Sequence, residues 1–155
     1  MDKRERISGF VASLEHGSAQ ARDYYAAFFR LWNEQRYYQA HDVLEQLWLK
    51  EENPETARFF QALIQAAGAF VHLQKNFEQP MHAKHSRRLR PATRLFALAL
   101  RNVEGLPDEF RGVDLVRFRE LLGGVRERII ASEFCVNPWS PVTAPRLNLV
   151  MGGAL

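Results

Sequence analysis

Along most of this chain apolar residues return every three or four positions, the period of a helix with one buried face. Nowhere do they alternate in the period of two that marks a half-buried strand. The pattern predicts an all-α fold, a single-domain bundle over 1–155 with five or six helices around a central one. A first helix is expected over 3–15, ending near Gly17. Ser18 can cap a second over 19–35, which turns Tyr24, Phe28, Leu31 and Trp32 inward. Arg36 marks a turn before a third helix over 37–51. Asn53-Pro54 reads as a cap followed by proline at the first helical position, and Glu55 favours the positive end of the helix that begins there.

That helix, over 54–75, carries Phe59, Phe60, Leu63, Ile64, Ala67, Phe70 and Val71 around more than half its circumference, and Ala62, Ala66 and Ala69 fill most of the rest. It is the expected centre of the bundle. Its one polar stripe is Gln61, Gln65, Gly68 and His72, spaced four, three and four and so kept within about 60°. The glycine permits a neighbouring helix to come close. A further helix over 79–101, interrupted by Pro91, packs Leu89, Leu95, Phe96, Leu98 and Ala99, and Asp114 caps a last one running to Ala131. Beyond it the chain changes character. Three prolines and Trp139 between Phe134 and Pro145 predict an extended tail over 134–155, laid on the bundle with Trp139 as its anchor.

Composition narrows the class without naming an activity. The 155 residues are 46% hydrophobic and 25% charged, as in ordinary globular proteins, and no apolar run approaches the ~20 residues of a membrane helix. No membrane partner is expected. The mixed charges of Met1 to Arg6 lead into no continuous apolar segment of the secretory kind, which points to the cytoplasm. The single cysteine, Cys135, has no second thiol for a disulfide or a metal, and a buried thiol is expected there.

Candidate chemistry concentrates in the helix over 37–51. At about 100° per residue His41, Glu45 and Trp48 fall within roughly 60° of one another, with Tyr37 and Leu44 beside them and Gln39, Gln46 and Lys50 opposite. This phase predicts that a histidine, a carboxylate and a tryptophan share a buried face.

The string Tyr38-x-Ala40-His41-x-x-Leu44-Glu45-x-x-Trp48, followed by Phe60-Gln61-x-Leu63-Ile64-Gln65-x-Ala67 and by His72, closely resembles the DUF309 family of small helical proteins. The resemblance covers residues 28–100. It implies a compact helical bundle around a central helix and no particular activity, and it places the family's signature positions on His41, Glu45, Trp48, Gln61, Gln65 and His72. Two positions depart from the family pattern: Ala62 stands where a glycine is usual after the first glutamine, and Lys75-Asn76-Phe77 stands where Gly-Asn is usual before the next helix.

Three roles compete for the cluster. In the first, Glu45 accepts hydrogen bonds from His41 or a neighbouring helix, Gln61 and Gln65 complete a buried network, and the protein is a structural or binding scaffold. In the second, His41, Glu45 and His72 bind a divalent metal, zinc or iron, as two histidines and one carboxylate with positions open to water. In the third, without metal, Glu45 is a catalytic acid or base whose pKa burial raises, and His41 orients it. No serine or cysteine nucleophile motif and no glycine-rich phosphate loop is present.

The net charge of +3 is modest, but its distribution is not even. His82, Lys84, His85, Arg87, Arg88, Arg90, Arg94 and Arg101 crowd a stretch with few acids. Arg87, Arg88, Arg90 and Arg94 are the candidates for binding nucleic acid or another polyanion. The plainer expectation is a solvated face whose arginines pair with neighbouring carboxylates. His82 and His85, three apart, offer a second metal pair, although the cations around them repel a metal. A homodimer is compatible with all of these roles.

Overall fold

The computed structural model describes residues 20–150, so the expected helix over 3–15 and the Ser18 cap lie outside the described residues. Among the described residues five α-helices follow one another: α1 (Gln20–Asn33), α2 (Tyr37–Lys50), α3 (Pro54–Glu78), α4 (Leu89–Asn102) and α5 (Leu115–Ala131). α1 stops because Gln35 takes a left-handed conformation, φ 61°. The Gln35 and Arg36 N–H groups then turn back to the Trp32 and Leu31 carbonyls at 2.9 and 2.8 Å, closing the helix end and aiming α2. α3 starts as its sequence requires: Pro54 lies in the first turn, and Asn53 Oδ1 accepts from the Thr56 N–H at 3.0 Å.

Each helix packs on its neighbour in sequence, and α3 lies between α2 and α4. The reason is its composition: the small side chains Ala62, Ala66, Ala67 and Ala69 are fully buried and let both neighbours approach, while Phe59, Phe60, Leu63 and Phe70 fill the gaps. Phe70 is where four helices meet. Its ring lies 5.0 Å from Trp32 of α1, 5.4 Å from Tyr37 of α2 and 5.3 Å from Phe96 of α4. Such offset and edge contacts contribute about 0.5–1.5 kcal/mol each beyond area burial. Gly68 faces α4, and a Cβ there would lie 3.3 Å from Leu95 Cδ1. The close approach expected of this glycine is realised.

Three local expectations are corrected. α3 runs on to Glu78, and a loop with a 3-10 turn at His85–Arg87 separates it from α4. Pro91 therefore sits in the first turn of α4, where its missing N–H costs nothing, and does not interrupt a helix. A two-residue antiparallel hairpin, β1 (Glu109–Phe110) and β2 (Val113–Asp114), adds a small element with no long alternating pattern to betray it. Its turn residues Arg111 and Gly112, at φ 48° and 82°, match the right-handed twist of the strands.

Asp114 caps α5 as expected, its Oδ1 accepting from the Arg117 N–H at 3.1 Å. The tail after α5 lies on the bundle as far as Val150, and 151–155 of the expected tail lie outside the described residues. Asn33 grips Leu147 from both sides, accepting from its N–H at 2.8 Å and donating to its carbonyl at 3.1 Å, and Trp32 Nε1 donates to the Pro145 carbonyl. Trp139 is buried, as its anchoring role requires. Cys135 is exposed, contrary to expectation. The left-handed turn at Glu133 and Phe134 carries the chain off the end of α5 before the tail returns to the core, and Cys135 lies on that outward bend.

Candidate functional site

The buried face of α2 is made by Tyr37, Ala40, Val43 and Leu44, with Leu47 packed beside them. His41, Glu45 and Trp48 lie on the rim of that face and are half-buried, not inside as their phase predicted. The physical reason is that Ala40 and Val43 are small enough to lie directly against neighbouring helices. The contact line therefore centres on them and not on the larger Trp48, which leans on the core edge.

On this rim three side chains converge. One nitrogen of His41 and one carboxylate oxygen each from Asp42 and Glu45 lie within 4.8 Å of one another. His41 Nδ1 stands 3.9 Å from Glu45 Oε2, too far for a hydrogen bond, and their side chains are 35% and 38% exposed. Although the residue is half-exposed, the Nδ1 atom itself is shielded from solvent and has no hydrogen-bond partner. The His41 ring stacks on Tyr38 at 6.3 Å between centroids.

Asp42 is not marked by helical phase, because a residue one position from His41 is turned about 100° away from it and lies off the face that His41, Glu45 and Trp48 share. The signal that finds it is the compact His41-Asp42-x-x-Glu45 triplet, whose long side chains reach around the helix to a common point. The buried setting expected to make Glu45 a catalytic acid or base is not there, nor is the hydrogen-bonded core network expected of His41 and Glu45.

The polar stripe of α3 serves another interface. Gln65 Oε1 accepts from Asn102 Nδ2 of α4 at 2.8 Å, Gly68 faces Leu95, and His72 Nδ1 lies 2.9 Å from Arg88 Nη1. His72 therefore does not join His41 and Glu45. Gln61, half-buried one turn before Gln65, begins the same stripe.

A guanidinium can only donate, so Arg88 fixes His72 as the acceptor, and its Nε donates in the same way to His85 Nδ1 at 2.7 Å. Burial first, then the neighbouring Arg88 and Lys75, lowers the His72 pKa to about 4. His85 is lowered as well, by burial and by Arg88, His82, Lys75 and Lys84. His82 Nδ1 accepts from the Lys84 and His85 N–H groups, which ties that ring to its own loop.

Arg88 is thus turned inward, while Arg87, Arg90 and Arg94 are exposed. The expected pairing of these arginines with carboxylates is absent among the described residues, whose one arginine–carboxylate pair is Arg36–Glu34.

Comparison with known proteins bears on the same segment. A relative in Aquifex aeolicus (strain VF5), itself named only as an uncharacterized protein, is 27% identical over 107 residues, which are 69% of this chain and 28% of the relative's length. The matched stretch is thus well under half of that longer protein. Residues 25–82 match the family model described as a domain of unknown function, DUF309, and run from within α1 through α2 and α3 into the loop after them. No helix among the described residues is long and apolar enough to cross a membrane. This segment, which holds His41, Glu45, Trp48, Gln61, Gln65 and His72, is thus similar to DUF309, a domain of unknown function.

Proposed function

We propose that this protein is a binding scaffold whose ligand is a divalent metal ion, held on the rim of α2 by His41, Asp42 and Glu45. The observation that carries this reading is the convergence of an imidazole nitrogen and two carboxylate oxygens within 4.8 Å of one another. Metal-bound donors lie about 2.0–2.2 Å from the ion and so roughly 3 Å apart. Half-exposed side chains reach that spacing by small rotations about their own bonds, with no movement of the helix.

The donor set points to the class of ion. One imidazole and two carboxylates suit zinc, iron(II) or manganese and do not suit ions that seek thiolates. The shielded, unpartnered Nδ1 of His41 is the natural first ligand. Three protein donors on a half-exposed rim leave the remaining coordination positions to water or to an incoming anionic ligand. A purely structural network is the weaker reading, because the pair it would rest on is 3.9 Å apart and over a third exposed.

Calorimetric titration of tag-free protein with zinc and with manganese tests this. One ion is expected per chain, with binding lost in His41→Ala. Asp42→Asn and Glu45→Gln are each expected to weaken it by more than the roughly 10–100-fold that loss of a merely supporting hydrogen bond costs. His72→Ala is expected to bind as the parent does. A parent chain that takes up neither ion contradicts the proposal.

A further inference from the structure

Arg58, Arg88, Arg111 and Arg119 are committed to the fold: Arg58 and Arg119 donate to backbone carbonyls, Arg111 to the Thr56 hydroxyl, and Arg88 to two histidines. Arg94 and Arg101 of α4 and Arg87 just before it are exposed, and none has a carboxylate of the described residues within ion-pair distance. Arg90 is exposed too, its guanidinium 4.1 Å above the ring of Phe134.

On a helix, Arg90, Arg94 and Arg101 fall within about 40° of one another and span roughly 16 Å along the axis. Arg87 extends this row at its start, where Ser86, Arg87, Leu89, Arg90, Glu133 and Phe134 line a cleft of about 290 Å³. Glu133 is the acid on its rim. The result is a line of forked cations with no ion pair among the described residues and one acid, Glu133, near its start.

We propose that this outward face of α4 binds the phosphodiester backbone of nucleic acid. Several phosphates in register are the ligand such a row fits, since one strand of a duplex presents a charge about every 3.4 Å of axis. Guanidinium groups match phosphate oxygens two at a time, and Phe134 holds Arg90 in place for that contact. An anionic membrane is the poorer occupant. The row carries the exposed Leu98 at its side and the small, half-buried Ala97 within it, too little apolar surface to insert among lipids. No side chain here is arranged to read base edges, so the binding is indifferent to sequence.

The test is fluorescence anisotropy of the whole chain with labelled single-stranded and duplex oligonucleotides at rising salt, beside a sedimentation assay with phosphatidylserine vesicles. Three neutralised phosphates make affinity for a duplex fall about 40-fold between about 50 and about 200 mM salt. Arg94→Glu with Arg101→Glu is expected to weaken binding at least about tenfold and to flatten the salt dependence. Arg94→Gln with Arg101→Gln guards against misfolding of the reversed variant and is expected to weaken binding in the same direction. Glu133→Gln is expected to strengthen it.

Arg22→Glu with Arg30→Glu changes net charge equally on the exposed side of α1 and is expected to leave binding nearly unchanged. Equal loss in both reversed pairs would reduce the effect to net charge and overturn the proposal. So would the absence of salt-sensitive oligonucleotide binding, or arginine-dependent sedimentation with vesicles in its place.

Discussion

Trp139 Nε1 donates to the Tyr37 hydroxyl at 3.1 Å, in a hydrogen bond buried from solvent that spans 102 positions of the chain. It ties the tail to the first residue of α2, beside the aromatic meeting point at Phe70. The helix that carries the candidate metal ligands is therefore fixed at its start by the far end of the sequence.

Removing this anchor is expected to loosen the fold substantially. Trp139→Ala deletes a large buried side chain and leaves the Tyr37 hydroxyl without its donor, at a cost of about 3–5 kcal/mol. Tyr37→Phe and Trp139→Phe each take away one partner of the bond and cost about 1–3 kcal/mol. Denaturant unfolding of the two singles and the double variant checks this: the double is expected to cost less than the sum, whereas strict additivity would mean that the bond contributes nothing.

Acid is expected to destabilise the protein through His72. Its folded pKa, lowered to about 4 by burial and by Arg88 and Lys75, lies below the unfolded value of about 6.5. Between those two values the unfolded chain takes up a proton that the folded chain refuses. The contribution is thus fully present above about pH 6.5, declines as pH falls, and is lost once pH passes below the folded value. Melting temperature followed over that window should fall in the parent and fall less in His72→Gln, which keeps an acceptor for Arg88 but does not titrate. His85 leaves a residual slope of the same sign. Identical profiles for parent and variant would remove His72 from the acid response.

Gly68 weighs two effects of similar size. Alanine gains about 1 kcal/mol of helix preference, and its Cβ would meet Leu95 Cδ1 at 3.3 Å, the far end of a side chain able to yield by a few tenths of an ångström. Gly68→Ala is therefore expected to leave thermal stability unchanged or slightly raised. Gly68→Leu drives a side chain into the α3–α4 contact and is expected to cost about 1–3 kcal/mol. Equal stability of the two variants would show that the helices are not in close contact at this point.

Much of the fold was legible because its signals are local. Asn53-Pro54 and Asp114 announce helix starts through their own side-chain chemistry, and Trp139 in a proline-rich tail announces an anchor. Pro91 misled because proline is tolerated in a first turn and forbidden in a helix interior, and sequence does not say which of the two it meets. The site was half legible. Residue types at His41 and Glu45 pointed to the right turn of α2, but which face is buried depends on the neighbours. Tyr37, Ala40, Val43, Leu44 and Leu47 span about 120° of the helix, with His41 and Trp48 just past its edge and Glu45 further round. The link from His41 to His72 failed for the same reason: His72 shares a helix with residues that touch α2, yet its own side faces Arg88 and α4.

The central claim, that His41, Asp42 and Glu45 hold a divalent metal, is tested most directly by nitrogen-15 NMR of the histidine side chains during zinc titration of tag-free protein. The expected result is a saturable shift of His41 Nδ1 at one equivalent, with the resonances of His72, His82 and His85 in place. Zinc that leaves His41 unmoved, or that first shifts His82 and His85, would contradict it.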